Sequence, residues 1–238
     1  MTALSPAHQT DHRRRLRPID WAFLGFLLIV WPGITWLNFP SGNDALNVLT
    51  DVSRSLTYLQ SMAITGSVFL FLAVVLRFQR WLFVDLGLKG FTLGNTGFGF
   101  LLLVVANVVL QLISITIPAF RPGPDDFVML LLPRTTGERL LWLGLSATAA
   151  VGEETIFRGY VLTRLHHVFG HWTPAVILSA LGFGLAHIYQ GWAGVVLTAV
   201  YGVIFSLVYI RRQSLWPCII AHFLQDAIAI LPIDFPSL

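Results

Sequence analysis

The sequence is poor in charge: only 11% of its 238 residues are Asp, Glu, Lys or Arg, whereas 55% are hydrophobic. Soluble domains average about 25% charged residues. So few charged side chains cannot cover the surface of a soluble globule of this length, which excludes a soluble enzyme or binding domain. The composition predicts an integral membrane protein, with the lipid bilayer as its first partner.

Cysteine and basic clusters are also scarce. The single cysteine, Cys218, excludes a disulfide within the chain and a metal site built from cysteines. The formal net charge is only +3, and the basic residues do not form a patch with interleaved aromatic residues, the pattern of a nucleic-acid-binding surface. We therefore expect no nucleic-acid partner.

Hydrophobic runs are abundant, and seven of them approach the length needed to cross a bilayer, which is about 20 residues. The fold class we predict is all-α, a polytopic transmembrane helical bundle of about seven spans. The first span should be kinked at Pro32-Gly33, because proline removes a helical hydrogen bond. The spans are predicted at 19–38, 57–76, 97–118, 140–162, 174–190, 193–210 and 214–232.

The basic residues of the loops predict the orientation, since Lys and Arg accumulate on the cytoplasmic side of a membrane. Alternate loops hold ten basic residues on one side and four on the other, and the ten include the N-terminal tail. We predict a cytoplasmic N-terminus and an external C-terminus, in a protein of the cell membrane. The ten are Arg13, Arg14, Arg15, Arg17, Arg77, Arg80, Lys89, Arg164, Arg211 and Arg212, and the four are Arg54, Arg121, Arg134 and Arg139.

The chain divides into four regions on this pattern. Residues 1–18 form a basic cytoplasmic tail, and residues 19–138 hold the N-terminal transmembrane helices and their loops. Residues 139–232 form the core that carries the chemistry, and residues 233–238 are a short C-terminal tail. The two longer loops, at 39–56 and 119–139, contain turn signals and polar residues.

Three ionisable residues interrupt the apolar run of the fourth span, in the stretch Val151 to Tyr160. A charge near the bilayer centre costs at least ~2.5–3.5 kcal/mol, so such a residue is kept when it is used or neutralised. Glu154 and Arg158 lie four residues apart on one helix face and can form an ion pair. Glu153 is rotated by about 100° from Glu154 and can instead face a cavity.

Two further spans carry histidines. Phe183 and His187 share a face of the fifth span, and His222 and Asp226 share a face of the seventh. At 1.5 Å per residue, Glu153, His187 and His222 all fall within roughly 8 Å of the bilayer centre. These side chains are therefore predicted to meet around one hydrated hollow inside the bundle.

This set of residues is suited to hydrolysis. Glu153 with His187 can activate a water molecule, and a second imidazole can donate to the oxyanion that forms when the water attacks a carbonyl. That describes a peptidase site with no serine or cysteine nucleophile. The same side chains can also bind zinc, although the helical zinc motif H-E-x-x-H is absent from the sequence. If a metal takes part, its ligands are Glu153, His187 and His222.

Two functions other than hydrolysis are compatible with an intramembrane set of polar side chains. A transporter or proton-coupled carrier would relay protons through the intramembrane Glu and His residues. It predicts paired inverted repeats with broken helices, which the sequence does not show. A membrane scaffold that only keeps the fold would not need the complete polar set. We expect an intramembrane endopeptidase, with the transporter as the alternative.

Three motifs on successive predicted spans resemble the CAAX-protease and bacteriocin-processing family of intramembrane endopeptidases. They are E-E-x-x-x-R at 153–158, F-x-x-x-H at 183–187 and H-x-x-x-D/N at 222–226, and the resemblance covers roughly residues 139–231. It implies hydrolysis of a peptide or membrane-associated protein substrate. It also implies a metal-free glutamate mechanism without a cofactor, with zinc as the alternative.

The resemblance implies a role for each residue. Glu153 is the water-activating base with His187 as its partner, and His222 with the position of Asp226 stabilises the oxyanion. Family members that cleave prenylated CAAX proteins resemble one another in carrying asparagine where this chain has Asp226. An ionised aspartate cannot donate a hydrogen bond, so Asp226 is protonated, or it orients His222, or the substrate is not a prenylated C-terminus. The supporting residues are Glu154, Arg158 and Phe183.

Overall fold

A computed structural model describes residues 16–37, 53–120 and 127–231. Long helices make up most of these ranges. The predicted tails, apart from residues 16–18, and the loop residues 38–52 and 121–126 lie outside the described residues. The helices are α1 (Pro18–Leu37), α2 (Arg54–Gln79), α3 (Leu93–Thr116), α4 (Thr136–Glu153, continued by Glu154–Val161 and Leu162–Phe169), α5 (Trp172–Ala186), α6 (Gly191–Arg212) and α7 (Trp216–Ala227).

Short helical turns join these elements, and the described residues contain no strand. The turns are the 3-10 helices Phe83–Leu86, Pro118–Phe120, Ile188–Gln190 and Ile228–Ile230, and a five-residue α-helix at Phe127–Leu131. The fourth predicted span, 140–162, lies within a longer helix that continues to Phe169. The fifth, 174–190, ends earlier than predicted, because α5 stops at Ala186.

Four helical stretches are long and apolar enough to cross a membrane: α1, α2, α3 and Ile188–Arg212, which contains α6. α5 and the stretch Trp216–Ile230 are apolar but shorter, and α4 carries the ionisable residues of the fourth predicted span. The predicted all-α membrane bundle is confirmed, with seven as an approximate number of spans. Apolar side chains at helical spacing lie exposed along one face of α3, as expected of a lipid-facing helix. They are Leu101, Val104, Val108, Leu112 and Ile115.

Two of these helices contain a π-helical stretch. In α1 it spans Phe26–Val30 and ends just before Pro32. Proline has no N–H to donate to the carbonyl one turn earlier, and a wider turn is a known way for a helix to adapt. The kink predicted at Pro32-Gly33 stays a prediction, and the π-helical stretch lies in the turn before it. In α4 the π-helical stretch is Glu154–Val161, which carries two of the three ionisable residues of the motif.

The contacts between helices place α4 at the centre of the bundle. The first part of α4 packs against α2 and α7, and its π-helical stretch contacts α5. Outside this centre, α5 packs against α6 and α3 packs against α7. All 8 residues of the π-helical stretch are buried. Its glutamate and arginine are therefore enclosed by protein rather than turned to lipid.

A buried polar cluster joins the start of α1 to the end of α4. Asp20 Oδ1 accepts hydrogen bonds from the Tyr160 hydroxyl at 2.6 Å and from the Gln79 amide, and it lies 3.3 Å from Arg164 Nε. Arg164 also donates to Gln79 Oε1, and its guanidinium carbon lies 3.9 Å from the centroid of the Trp81 ring. Arg164 is only 1% exposed. Arg164 was predicted in a loop, and this is wrong, because it lies on α4 beside a buried aspartate.

The two ends of the bundle are identified by contacts between helices. Arg17 Nη1 donates to the Phe78 carbonyl at 2.7 Å, which places the start of α1 beside the end of α2. The Tyr58 and Trp142 rings lie 5.3 Å apart, and Trp142 Nε1 donates to the Asp226 carbonyl at 2.8 Å. The starts of α2 and α4 and the end of α7 therefore lie at the opposite end. α1 and α2 thus run antiparallel, as the alternation of loops requires.

Helices α2 and α4 approach closely at Gly152. A Cβ atom at this position would lie 2.6 Å from Thr65 Cγ2, whereas non-bonded carbon atoms prefer about 3.5–4.0 Å. Glycine is the residue that allows this contact. The separation of α2 and α4 is therefore set one residue before Glu153.

We predict that Gly152→Ala lowers the free energy of unfolding by roughly 1–3 kcal/mol, as overpacking of a core does, because α2 has to move away from α4. Thr65→Ser removes the obstructing methyl group and should restore most of this loss in the double variant. Thermal unfolding in detergent measures both effects. Gly66→Ala is the control, since a Cβ there meets nothing within 4 Å; equal destabilisation by Gly66→Ala would contradict the explanation.

Candidate active site

A cavity of about 220 Å³ lies between α1, α2, α4 and the residues that follow α5. Glu153 and His187 are both on its wall, with side chains 21% and 14% exposed. Ser61, Thr65 and Tyr189, whose side chains carry hydroxyl groups, also line the cavity. Most of the remaining wall is apolar and includes Leu27, Trp31, Ile64, Val68, Ile156 and Phe157. The predicted meeting of the free carboxylate with one imidazole at a cavity is present in the structure.

The geometry of Glu153 and His187 suits the binding of a water molecule. Glu153 Oε2 lies 3.7 Å from His187 Nε2, and His187 Nδ1 lies 2.8 Å from the Phe183 carbonyl oxygen. A carbonyl oxygen only accepts hydrogen bonds, so Nδ1 carries a hydrogen and donates it, and Nε2 is the nitrogen that faces Glu153. One water placed about 2.8 Å from both atoms can donate a hydrogen bond to each.

Glu154, the next residue, belongs to a second group of side chains. Its Oε1 atom accepts a hydrogen bond from Arg158 Nη1 at 3.0 Å and lies 2.9 Å from His222 Nδ1. Glu154 is 0% exposed and Arg158 is 1% exposed. The ion pair expected between Glu154 and Arg158 is present, and it is shared with a histidine of α7.

His222 lies between two carboxylates. Its Nδ1 atom faces Glu154, and its Nε2 atom lies 3.5 Å from Asp226 Oδ2. Neither His222 nor Asp226 is on the wall of the cavity that contains Glu153. The structure thus brings His222 and Asp226 to the second group and not to the first. Their part in oxyanion stabilisation stays a prediction.

Phe183 separates the two groups and contacts both. Its ring centroid lies 4.7 Å from that of His187, and the Arg158 guanidinium carbon lies 4.2 Å from the same centroid. A cation over an aromatic face is attracted by the ring quadrupole. Phe183 therefore contacts the imidazole of the first group and the guanidinium of the second.

The arrangement does not fit the predicted set of metal ligands. Within residues 16–37, 53–120 and 127–231, no group of three or more His, Cys, Asp and Glu side chains could hold a metal ion. A catalytic zinc ion uses three protein ligands. Glu153 and His187 are near each other, but both nitrogens of His222 face other carboxylates. The use of a cofactor, or of none, stays a prediction.

Sequence reasoning missed Tyr189, which is on the cavity wall beside His187. Their ring centroids lie 5.7 Å apart. If α5 continued to residue 190, a residue two positions after His187 would be rotated by about 200° and would point away. Because α5 ends at Ala186 and a 3-10 turn follows, both side chains reach the same cavity.

The cluster around Asp20 was also missed. Asp20 is the one acidic residue of the first predicted span, which was the available signal. Its cation is Arg164 on α4, and no local spacing rule connects residues so far apart. The cluster fixes the end of α4, the helix that carries Glu153.

Comparison with known families finds a match in the second half of the chain. Residues 135–228 match the family model described as Type II CAAX prenyl endopeptidase Rce1-like. The match covers about two fifths of the chain and includes α4 to α7 with every predicted site residue. It confirms the resemblance given by the three motifs. No curated protein and no solved structure matches the chain.

The match supports a protease activity of the CAAX type and a peptide or protein substrate in the membrane. Together with the apolar helices, it indicates an integral membrane protein.

The two adjacent glutamates should differ in their effect on stability. We predict that Glu154→Gln lowers the free energy of unfolding by roughly 3–5 kcal/mol, because it leaves the buried Arg158 guanidinium without its counter-ion. Glu153→Gln should change it by less than about 1 kcal/mol, because Glu153 faces the cavity and makes only a long contact. Unfolding in detergent measures both; equal losses would contradict the division into two groups.

Proposed function

We propose that the chain is an intramembrane endopeptidase in which Glu153 and His187 activate a water molecule for attack on a peptide carbonyl. The observation that carries this proposal is the 3.7 Å separation of Glu153 Oε2 and His187 Nε2 on the wall of one cavity. The Rce1-like segment supports the same class of reaction.

The two hydrogen-bond acceptors, the Glu153 carboxylate and His187 Nε2, can together carry out the hydrolysis of a peptide bond. The bound water gives one proton to Glu153 while its oxygen forms a bond to the carbonyl carbon, and His187 Nε2 accepts its other hydrogen bond and orients it. Glu153 then gives the proton to the amide nitrogen, the C–N bond breaks, and a carboxylic acid and an amine are released. No covalent enzyme intermediate is formed.

The wall of the cavity indicates the kind of substrate. Leu27, Val68 and Ile156 present apolar surface close to Glu153, which suits an apolar segment of a peptide beside the scissile bond. A peptide inside a bilayer also needs partners for its backbone groups. The hydroxyls of Ser61 and Thr65, one turn apart on α2, can supply them.

The second group of side chains holds α7 against α4. Three explanations were given above for an aspartate at position 226. We propose the second, that Asp226 orients His222, supported by the 3.5 Å contact between Asp226 Oδ2 and His222 Nε2. Glu154 and Arg158 support the site by keeping the π-helical stretch of α4 in place. Oxyanion stabilisation by His222 would require its ring to turn from a carboxylate towards the cavity.

We also propose the orientation with a cytoplasmic N-terminus and an external C-terminus, in the cell membrane. Without the buried Arg164, the loops still hold nine basic residues against four. The contact of Arg17 with Phe78 places the N-terminal side of α1 at the same end as Arg77 and Arg80. A single basic end of the bundle supports this orientation.

The test uses quenched fluorogenic peptides that end in a CAAX sequence, one prenylated and one not, with the full chain in proteoliposomes. We expect Glu153→Gln and His187→Ala to lower kcat by about 10²–10⁴-fold, as loss of a general base does. Glu138→Gln is the matched control, since Glu138 caps the start of α4 and should leave kcat unchanged.

Full activity of Glu153→Gln or of His187→Ala would overturn the proposal. Solute uptake that depends on Glu153, without cleavage of either peptide, would favour the transporter. Cleavage that persists in strong chelator, by protein free of zinc in elemental analysis, would discard a metal-dependent mechanism.

A further inference from the structure

The cavity lies towards one end of the bundle. On α1 its wall extends from Leu27, in the middle of the helix, to Thr35 near its end. On α2 it extends from Ser61, about 10 Å after the start of the helix, to Val68, about 16 Å before its end. Because α1 and α2 run antiparallel, both walls lie towards the same end of the bundle, which is the end opposite to the basic residues.

Buried side chains fill the space between the cavity and the basic end. Phe23, one turn before Leu27, has its ring centroid 5.1 Å from that of Phe71 and 5.3 Å from that of Tyr160. The ion pair of Asp20 lies one further turn towards the basic end. The α2 side chains Leu72, Val75 and Leu76 are buried as well. A peptide could pass through this layer only by separating α1 from α2 and α4.

The wall of the cavity becomes more exposed in the opposite direction. Leu27, at its inner end, is only 2% exposed, whereas Trp31 and Thr35 further along α1 are partly exposed. Ile64 on the α2 wall is 50% exposed. Among the described residues, the wall is therefore reached from outside the protein in the half away from the basic end.

A pair of tryptophans indicates the membrane surface at that end. Trp36 and Trp192 are both more than half exposed, and their ring centroids lie 5.5 Å apart. Tryptophan is enriched at the level of the lipid head groups. Thr35 of the cavity wall directly precedes Trp36, and His187 comes five residues before Trp192. The cavity thus extends from the middle of the bundle to the level of this surface.

We infer that the site takes its substrate from the external side of the membrane, as a peptide segment presented at the outer surface. The inference rests on the proposed function, including the proposed orientation, and deepens it by naming the side from which the substrate comes. The peptide places apolar side chains against Leu27 and Val68 at the inner end of the cavity and its scissile bond beside Glu153. A segment presented at the cytoplasmic face would have to cross the buried layer at Phe23.

The experiment determines the side from which the cavity wall can be reached. Cys218 is the single cysteine and is buried, so Cys218→Ala gives a background without thiols, and the unaltered chain can replace it. Thr35→Cys reports on the cavity. Gly137→Cys, at the start of α4, and Arg77→Cys, at the end of α2, are exposed controls for the external and the cytoplasmic end. A charged, membrane-impermeant maleimide is applied to right-side-out and to inverted cell-membrane vesicles.

We expect Thr35→Cys to react in right-side-out vesicles, as Gly137→Cys does, and about 10²-fold more slowly in inverted vesicles, because the bilayer excludes a charged reagent. Arg77→Cys should show the opposite preference. Modified Thr35→Cys should lose cleavage of the fluorogenic peptide, since the adduct fills the cavity, whereas modified Gly137→Cys should keep the wild-type kcat/KM. If Thr35→Cys does not fold, Ser61→Cys on the α2 wall replaces it.

The outcomes distinguish this inference from the proposed function. If both controls react from the expected sides but the cavity cysteine reacts from the cytoplasmic side or from neither side, the external origin of the substrate is overturned and the proposed orientation stands. If the two controls exchange sides, the proposed orientation fails and the external origin fails with it. If Glu153→Gln keeps full activity while Thr35→Cys reacts from outside, the catalytic proposal fails and the external opening of the cavity stands.

Discussion

The buried carboxylate of Glu154 is the constraint on which the site depends. It lies on the π-helical stretch at the centre of the bundle, with Arg158 of its own helix and His222 of α7 on the same oxygen. An unpaired charge in this environment would be very costly, so the rotation of α4 and the placement of α7 are both fixed. Glu153 is consequently turned to another side, where it meets a cavity. Two adjacent glutamates thus have different surroundings, and in the proposed function one has a structural role and the other a chemical role.

The cavity is completed by helices outside the Rce1-like segment. Glu153, His187 and Tyr189 come from residues 135–228, whereas Leu27, Ser61 and Thr65 come from α1 and α2. The first half of the chain carries no motif, yet it forms the wall that a substrate would touch. In the proposed function, the chemistry and the choice of substrate therefore reside in different parts of the chain.

What could be predicted from the sequence depended on local rules. A bilayer fixes the length of a span, so the helices were visible as apolar runs, and the spacing of four residues predicted the pair Glu154 and Arg158. The end of α5 was not predictable in this way, because the apolar run continues through Ile188, and Tyr189 was missed as a result. His222 was predicted beside Glu153 but lies beside Glu154. Periodicity gives the face of a helix on which a residue lies, but not the neighbouring side chain that this face contacts.

The buried cluster at Asp20 has a consequence for how the protein is made. Tyr160, a partner of Asp20 on α4, follows it by 140 residues, and Arg164 comes later still. At ribosomal rates of ~5–20 residues per second, Asp20 is synthesised roughly 7–28 s before these partners. During that interval the carboxylate lacks the Arg164 cation, and the buried cluster that joins α1 to α4 cannot form. The packing of α1 against α4 is thereby completed only after α4 has been synthesised.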